Sequence, residues 1–337
     1  AGYAGEMSYF ANRQKAYEHP NGVLDGAKSM IALSYPYDAA SAQAPTAGDG
    51  RIAKYIWSGL DYHDIIHPKL KQLCKILTDQ SPESHARGVV DTAPLMEREI
   101  AQQAGLGWIG KNTLLLNKYQ GSYFFLACVL TNIELPYDES HETHHCGNCR
   151  ACLDACPTDA FPAPGVLDAT RCISYLTIEH RNAIPVELRE GIGSWLFGCD
   201  VCQEVCPWNR KPTRQATLTE PTDKSTNFDH LELRTLFEIG EEEFRQRFRK
   251  TPLWRARRRG ILRNAAIVLG NQKHEANIPA LKIGLRDPEP LVRGAAAWAI
   301  GRVGGQIAVG ELESCLVSEG DPDVLSEITL ALSTIQR

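Results

Sequence analysis

"CGNCRACLDACP", residues 146–157, is the stretch on which the reading of this chain turns. Cys146, Cys149 and Cys152 recur at C-x-x-C intervals, and Cys156 follows three residues later, just before Pro157. Three thiolates at that spacing converge on one iron–sulfur cube. A fourth, set before a proline, ligates the other cluster of a two-cluster protein. A second half-motif is therefore required. "GCDVCQEVCPWN", residues 198–209, supplies Cys199, Cys202 and Cys206, again with a proline after the last. It is one ligand short, and Cys172 in "TRCISYL" is the upstream substitute. The crosswise rule assigns Cys146, Cys149, Cys152 and Cys206 to one 4Fe–4S cluster. Cys156, Cys172, Cys199 and Cys202 fall to the second. Structural zinc fits less well, because zinc sites use two C-x-x-C pairs or include histidine.

Composition agrees with a metal reading. Eight of the eleven cysteines lie between Cys146 and Cys206 in a chain of 337 residues. Disulfide scaffolds are small and spread their cysteines, so clusters in a reducing, cytoplasmic compartment are the better expectation. Cys74, Cys128 and Cys315 each sit in an apolar run and read as buried thiols. A net charge of −5 excludes a general nucleic-acid binder, leaving only a local patch for that purpose. No run approaches the roughly 18 apolar residues of a membrane span. The opening "AGYAGEMSYF" has neither a starting methionine nor a signal-peptide charge pattern, and reads as a chain whose native N terminus lies further upstream.

Two paired cubes conduct single electrons, but a wire needs only a small domain, and here long flanks surround it. On the C-terminal side, "GILRNAAIVLGN" (260–271) resembles "LVRGAAAWAIGRVG" (291–304), with a weaker copy at "DVLSEITLALSTI" (323–335). Alanine-rich helices at a fixed period predict stacked hairpins of the HEAT type. Ahead of them, residues 244–264 carry nine Arg or Lys and no acid, with Phe and Trp interleaved. Such a patch suits phosphates and unpaired bases, although charge runs more often form a solvated helix face. On the N-terminal side, β-rich runs ("SMIALSYPY", "SYFFLACVLTNI") alternate with helical ones ("YHDIIHPKLKQLCKILTDQ", "PLMEREIAQQAG"). The expected fold class is α+β. An α/β domain over 1–140 comes first, then a ferredoxin-like two-cluster domain over 141–215. A basic linker and an all-α HEAT-like domain occupy 216–337.

Asp91 follows the apolar run of "GVVDTAP". An acid at a strand's end points into a crevice, where a carboxyl can act as a proton donor. Pattern alone favours a helix N-cap. "AGLGWIGKN" lacks the dinucleotide fingerprint. "DYHDII" lacks the glycine of the cobalamin signature D-x-H-x-x-G, so His63 reads as structural rather than as a cobalt ligand.

Taken in order, "VDTAPLMER", "AGLGWIGKN", "GSYFFLACVLTNI", "CGNCRACLDACPT", "RCISYLTIEHR" and "GCDVCQEVCPWN", followed by a HEAT-like tail, resemble the epoxyqueuosine reductases over essentially the whole chain. The family has a further segment ahead of "G-x-x-G-E-M-x-Y". The resemblance implies a cytoplasmic enzyme that reduces the epoxide of epoxyqueuosine at the wobble position of tRNA to queuosine. It implies base-off cobalamin without a protein axial ligand, fed by the two 4Fe–4S clusters, as in reductive dehalogenases. By the same resemblance Asp91 is the proton donor. Arg13, Ala53, Lys54, Met96, Leu115, Leu126 and Asp200 fall on cobalamin-pocket positions. Trp254, Arg255, Arg258, Arg259, Arg263 and Asn264 match the tRNA-contacting stretch, with Arg standing for Lys at several places. The implied partners are a tRNA anticodon stem-loop and an electron donor, and a monomer is expected, since tRNA recognition and chemistry both fit within one chain. Two rival readings use the same cysteines: an electron-transfer adaptor docking through the HEAT tail, and a cobalamin reductase of small halogenated or epoxide substrates.

Overall fold

Apolar runs along 29–36 and 124–131 become the two long strands of an antiparallel sheet in the computed structural model, which describes residues 2–37, 45–210 and 228–335. In chain order the strands are β1 (Ser29–Pro36), β2 (Asp49–Ile52), β3 (Ala86–Val89), β4 (Trp108–Ile109), β5 (Leu115–Leu116), β6 (Phe124–Thr131), β7 (Trp195–Phe197) and β8 (His230–Glu232). Among the described residues the chain forms two compact units. The first draws on 1–40, 60–168 and 200–224, the second on 41–59, 169–199 and 225–337.

In the first unit β6 is central. β1 pairs with it from Ser29↔Thr131 to Pro36↔Phe124, and β3 from Ala86↔Thr131 to Val89↔Cys128. The helix Tyr62–Thr78 lies on β3. Gly88 lets it approach, because a Cβ there would stand 2.6 Å from the Leu70 Cβ. Asp61 caps this helix, accepting the His63 N–H at 3.0 Å, and so sets Tyr62 at its first turn. β3 ends at Val89, which delivers Asp91 to the top of the same sheet.

In the second unit β2 runs parallel to β7 and antiparallel to β8. Gln272, at the end of the helix Arg257–Gln272, accepts the Gly48 N–H and donates to the Asp49 carbonyl, both at 2.9 Å. The expected repeats are present. Helices Arg257–Gln272, Pro290–Val303 and Pro322–Ile335 stack in series, with Ile278–Gly284 and Gly305–Ser318 as their partners. Small residues permit the stacking. A Cβ on Gly270 would come 2.8 Å from the Ala299 Cα, and one on Gly301 2.9 Å from the Ala331 Cα. Among the described residues no helix is long and apolar enough to cross a membrane.

The two units do not coincide with three consecutive domains. Residues 41–59, expected in the first domain, pair through β2 with β7 in the second unit. The two-cluster segment is divided as well, because 169–199 packs with the repeat helices while 141–168 and 200–210 pack with the β1–β6–β3 unit. Of the basic linker and repeat domain expected over 216–337, residues 216–227 lie outside the described residues, while the basic stretch 244–264 runs through the helices Glu241–Phe248 and Arg257–Gln272.

Candidate active site

Asp91 is not a helix cap. The next helix, Glu97–Gln103, begins six residues later, and its cap position is Met96. Asp91 instead centres a tight turn in which the Thr92 N–H donates to the Val90 carbonyl at 2.6 Å. Its φ is +56°, a left-handed conformation that L residues adopt at a cost and that Asp tolerates better than most. The carboxylate is exposed and accepts the Tyr62 hydroxyl at 2.6 Å. Arg13 donates to the Thr92 carbonyl at 3.2 Å, bringing its guanidinium to the same turn. His63 stacks on Tyr62 and contacts Asp61 through Nδ1 at 2.7 Å. That hydrogen bond holds His63 above its ordinary value against the pull of burial, with Asp61, Asp91 and Asp64 adding charge. His63 Nδ1 is engaged by Asp61, and its Nε2 is buried without a hydrogen-bond partner among the described residues.

Glu97 was not singled out by sequence. Burial, and then the Asp91 carboxylate, push its carboxyl up to about 7. Tyr62, likewise, had no sequence signal beyond its place in "DYHDII". Lys111, in "GWIGKN", also has a clear task. Its ammonium donates to the carbonyls of Gly147 at 2.6 Å and Cys149 at 2.8 Å, pinning the loop between the first cysteines.

The structure brings one predicted cysteine set together. Cys206 packs in a core with Trp108 and Leu116, against which Cys146 and Trp208 also lie. Burial raises the Cys152 thiol, and the neighbouring Cys206, Cys146 and Cys149 raise it further. Burial likewise raises Cys206, with Cys146 and Cys149 opposing hydrogen bonds from the Trp208 and Asn209 amides. Four thiols that repel one another when ionised are the donor set a cationic iron cluster requires. Among the described residues no His, Cys, Asp or Glu group is drawn tightly enough for a single metal ion, whereas a cube holds its thiolates at separate corners. Of the other four cysteines, Cys156 accepts the Ala160 N–H through its sulfur at 3.3 Å in the first unit. Cys202 there offers its carbonyl to Asn112 at 3.4 Å. In the second unit Cys172 begins the helix Ile173–Ile178, and Cys199 follows Gly198, whose N–H donates to Thr177 of that helix at 3.0 Å. Cys128 is buried as expected, and burial pushes it up to about 12. Cys74 and Cys315 are only half-buried.

The cobalamin-pocket positions separate into two groups. Arg13 and Met96 are exposed beside the Asp91 turn, Met96 to 48%, and Leu126 is half-buried. A cation and an apolar wall next to an acid fit a corrin with amide side chains. Lys54 lies in the second unit, with its ammonium 5.5 Å from the Trp57 ring. Ala53, Leu115 and Asp200 depart from expectation. They are buried to 1–3% exposure, Leu115 in a core with Ala101 and Phe124, Asp200 accepting from Gln203 at 2.9 Å. Side chains committed to the interior offer no wall to a cofactor.

The RNA positions divide in the same way. Arg255 and Arg259 are exposed and Trp254 is half-buried. Arg258, Arg263 and Asn264 correct the expectation, for all three are buried. Arg258 forks onto Asp287 and donates to the Ile239 carbonyl. Arg263 donates to the carbonyls of Leu176, His180 and Asn182, and Asn264 to those of Thr177 and Leu196. Their side chains bind main chain, not phosphate. Arg257, absent from the predicted set, is exposed with its guanidinium 4.1 Å from the Trp254 ring centroid. Its φ is +61°. The run of arginines by itself carries no signal that separates the exposed Arg257 from the buried Arg258.

Comparison with known proteins places this geometry. Residues 18–92 match the epoxyqueuosine reductase QueG family (DUF1730), 145–209 the 4Fe-4S double cluster binding domain, and 253–333 HEAT repeats. The epoxyqueuosine reductase of Pseudomonas aeruginosa is 45% identical over 312 residues, covering 90% of this chain and 85% of that one. That of Escherichia coli is 38% identical over 302 residues, covering 88% and 79%. A crystal structure of epoxyqueuosine reductase with an epoxyqueuosine-modified tRNA-Tyr stem loop is 34% identical, with a TM-score of 0.86 over 98% of this chain and 91% of that one. The Bacillus subtilis enzyme, solved with a catalytic aspartate loop swung out of the active site, is 34% identical, with a TM-score of 0.85 over 96% and 86%.

Proposed function

The chain belongs to the epoxyqueuosine reductase family, and from that premise we propose how its own residues reduce epoxyqueuosine at the wobble position of tRNA to queuosine. It is an oxidoreductase of tRNA queuosine synthesis with a 4Fe–4S double cluster segment. Removing the epoxide oxygen as water consumes two electrons and two protons, and an alkoxide leaves poorly without an acid. Asp91 delivers the proton. The observation that carries this role is its placement: an exposed carboxylate on a strained turn at the exit of β3, held by Tyr62 and serving no helix as a cap. A relative with a catalytic aspartate on a loop that can swing supports an acid borne on such a turn.

Cys146, Cys149, Cys152 and Cys206 hold one cluster. By spacing alone, Cys156, Cys172, Cys199 and Cys202 hold the other. Arg13, Met96 and Leu126 would line a cobalamin, which supplies when bound a strongly reducing metal able to accumulate both electrons. Arg13 steadies the acid-bearing turn through the Thr92 carbonyl, and Tyr62 orients the carboxylate. Trp254, Arg255, Arg257 and Arg259 face the RNA, while Arg258, Arg263 and Asn264 hold the helix that presents them.

The test is anaerobic. The protein is reconstituted with iron, sulfide and cobalamin, reduced, and incubated with an epoxyqueuosine-containing anticodon stem-loop, and the digested RNA is weighed for queuosine. Product with the parent and none with Asp91→Asn is expected. Full activity in Asp91→Asn overturns the acid. Iron without corrinoid binding favours the electron-transfer adaptor.

A further inference from the structure

Asp91 has a second carboxyl behind it. Glu97 opens the helix Glu97–Gln103, and its Oε1 is buried without a hydrogen-bond partner among the described residues. The Asp91 main chain lies beside the Glu97 carboxyl, and the Asp91 side chain acts on it through charge. Its charged and titratable neighbours come from several elements. Cys128 approaches from β6. Tyr17 approaches from the short helix Gln14–Tyr17, within reach of Arg13 and Asp91 as well. Arg98 and Glu99 flank Glu97 on its own helix, and Arg98 donates to the Thr113 carbonyl at 2.8 Å. β1, β4 and β5 also pack on this helix and bring no charged side chain. A carboxylate in that setting lacks the hydrogen bonds that would offset its desolvation, so the protonated form is favoured. Its shift to about 7 agrees.

The reaction needs such a group. Converting an epoxide to an alkene breaks two C–O bonds and forms one C=C π bond. It takes up two electrons from the external reductant by way of the clusters and two protons, and it releases one water. A single aspartic acid holds one proton. We propose that Glu97 is the proton relay behind Asp91: its proton passes to the Asp91 carboxylate after Asp91 has protonated the departing oxygen, so that the same aspartate delivers the second proton and the oxygen leaves as water. Both carboxyls are then ionised, and the pair regains two protons from solvent by way of the exposed Asp91. This inference rests on Asp91 being the donor.

Single turnovers of the reconstituted, pre-reduced holoenzyme on an epoxyqueuosine stem-loop test it across about pH 5.5 to 8.5. The parent rate falls on the alkaline side with an apparent pKa of about 7. In Glu97→Gln the rate at low pH drops at least about tenfold and the alkaline limb disappears, while stem-loop affinity and cluster absorbance stay as in the parent. Glu97→Asp keeps a limb at a displaced pH. A Glu97→Gln enzyme with the parent's rate and limb overturns the relay, as does an unmoved limb in Glu97→Asp, which decides the matter should the glutamine variant not load its clusters. Asp91→Asn separates the two claims. If it is active, the donor is wrong. If it is inactive while Glu97→Gln behaves as the parent, the relay alone is wrong.

Discussion

Arg263→Lys separates an arginine that touches RNA from one that builds the protein. Arg263 is 1% exposed, and its fork makes five hydrogen bonds: two to Asn264, and one each to the carbonyls of Leu176, His180 and Asn182. These carbonyls lie in and just beyond the helix that Cys172 begins. Lysine keeps the charge but replaces a planar fork with a point donor. A single ammonium cannot reach both edges of the fork, so carbonyls among Leu176, His180 and Asn182 lose their partner, that of Leu176 being the buried one. At about 1–3 kcal/mol for an orphaned buried group and less for a part-buried one, the loss is roughly 2 kcal/mol. The assay is urea unfolding of the cluster-loaded protein, followed by circular dichroism and cluster absorbance. Alongside it, stem-loop affinity is measured against salt. A phosphate contact contributes about 0.7–0.9 to the log–log salt slope. Arg263→Lys and Arg263→Met should leave that slope unchanged in whatever fraction stays folded. Stability within about 1 kcal/mol of the parent, together with a slope reduced by one phosphate in Arg263→Met, would refute the structural assignment.

The neighbouring arginines should divide in the same manner. Arg258→Ala leaves Asp287, itself buried, without its ion pair and should cost about 3–5 kcal/mol, whereas Arg257→Ala should spare stability and lower the salt slope by about one contact. Cys206→Ser and Cys152→Ser should each remove about half the iron, and the double variant no more than either alone, because both serve one cluster; additive loss would show that they serve different ones. Glu97 makes stability depend on pH. Its folded value of about 7 lies above the ordinary 4.5, so its contribution is complete below about 4.5 and lost as pH rises through 7, by at most about 3 kcal/mol. Glu97→Gln should flatten that decline, which unfolding midpoints between about pH 4.5 and 8 will register.

Spacing along the chain was sufficient for the chemistry of the clusters and for the repeats. C-x-x-C steps are a local geometry, and a cube imposes its ligand order on any chain that holds it. Alanine and glycine at a fixed period permit only closely stacked helices, as Gly270 against Ala299 and Gly301 against Ala331 bear out. The apolar run before Asp91 likewise announced a strand and an acid at its end. Whether that acid capped a helix was undetermined by pattern, because the same residue types serve both ends, and only the turn at φ +56° and the helix starting at Glu97 decided it. Burial of single members within a motif was equally closed to sequence. Arg258 and Arg263 read as part of one basic stripe with Arg255, Arg257 and Arg259, yet the helix turns them toward Asp287 and toward the carbonyls after Cys172. Leu115 and Asp200 were expected at a cofactor and are spent on the interior. The hydrogen bond from Tyr62 to Asp91 joins residues that approach only when the Tyr62 helix closes over Gly88 against β3. Sequence specifies which groups can react. Which of them meet, and which are withdrawn from solvent, depends on contacts between segments far apart in the chain, where no periodicity reaches.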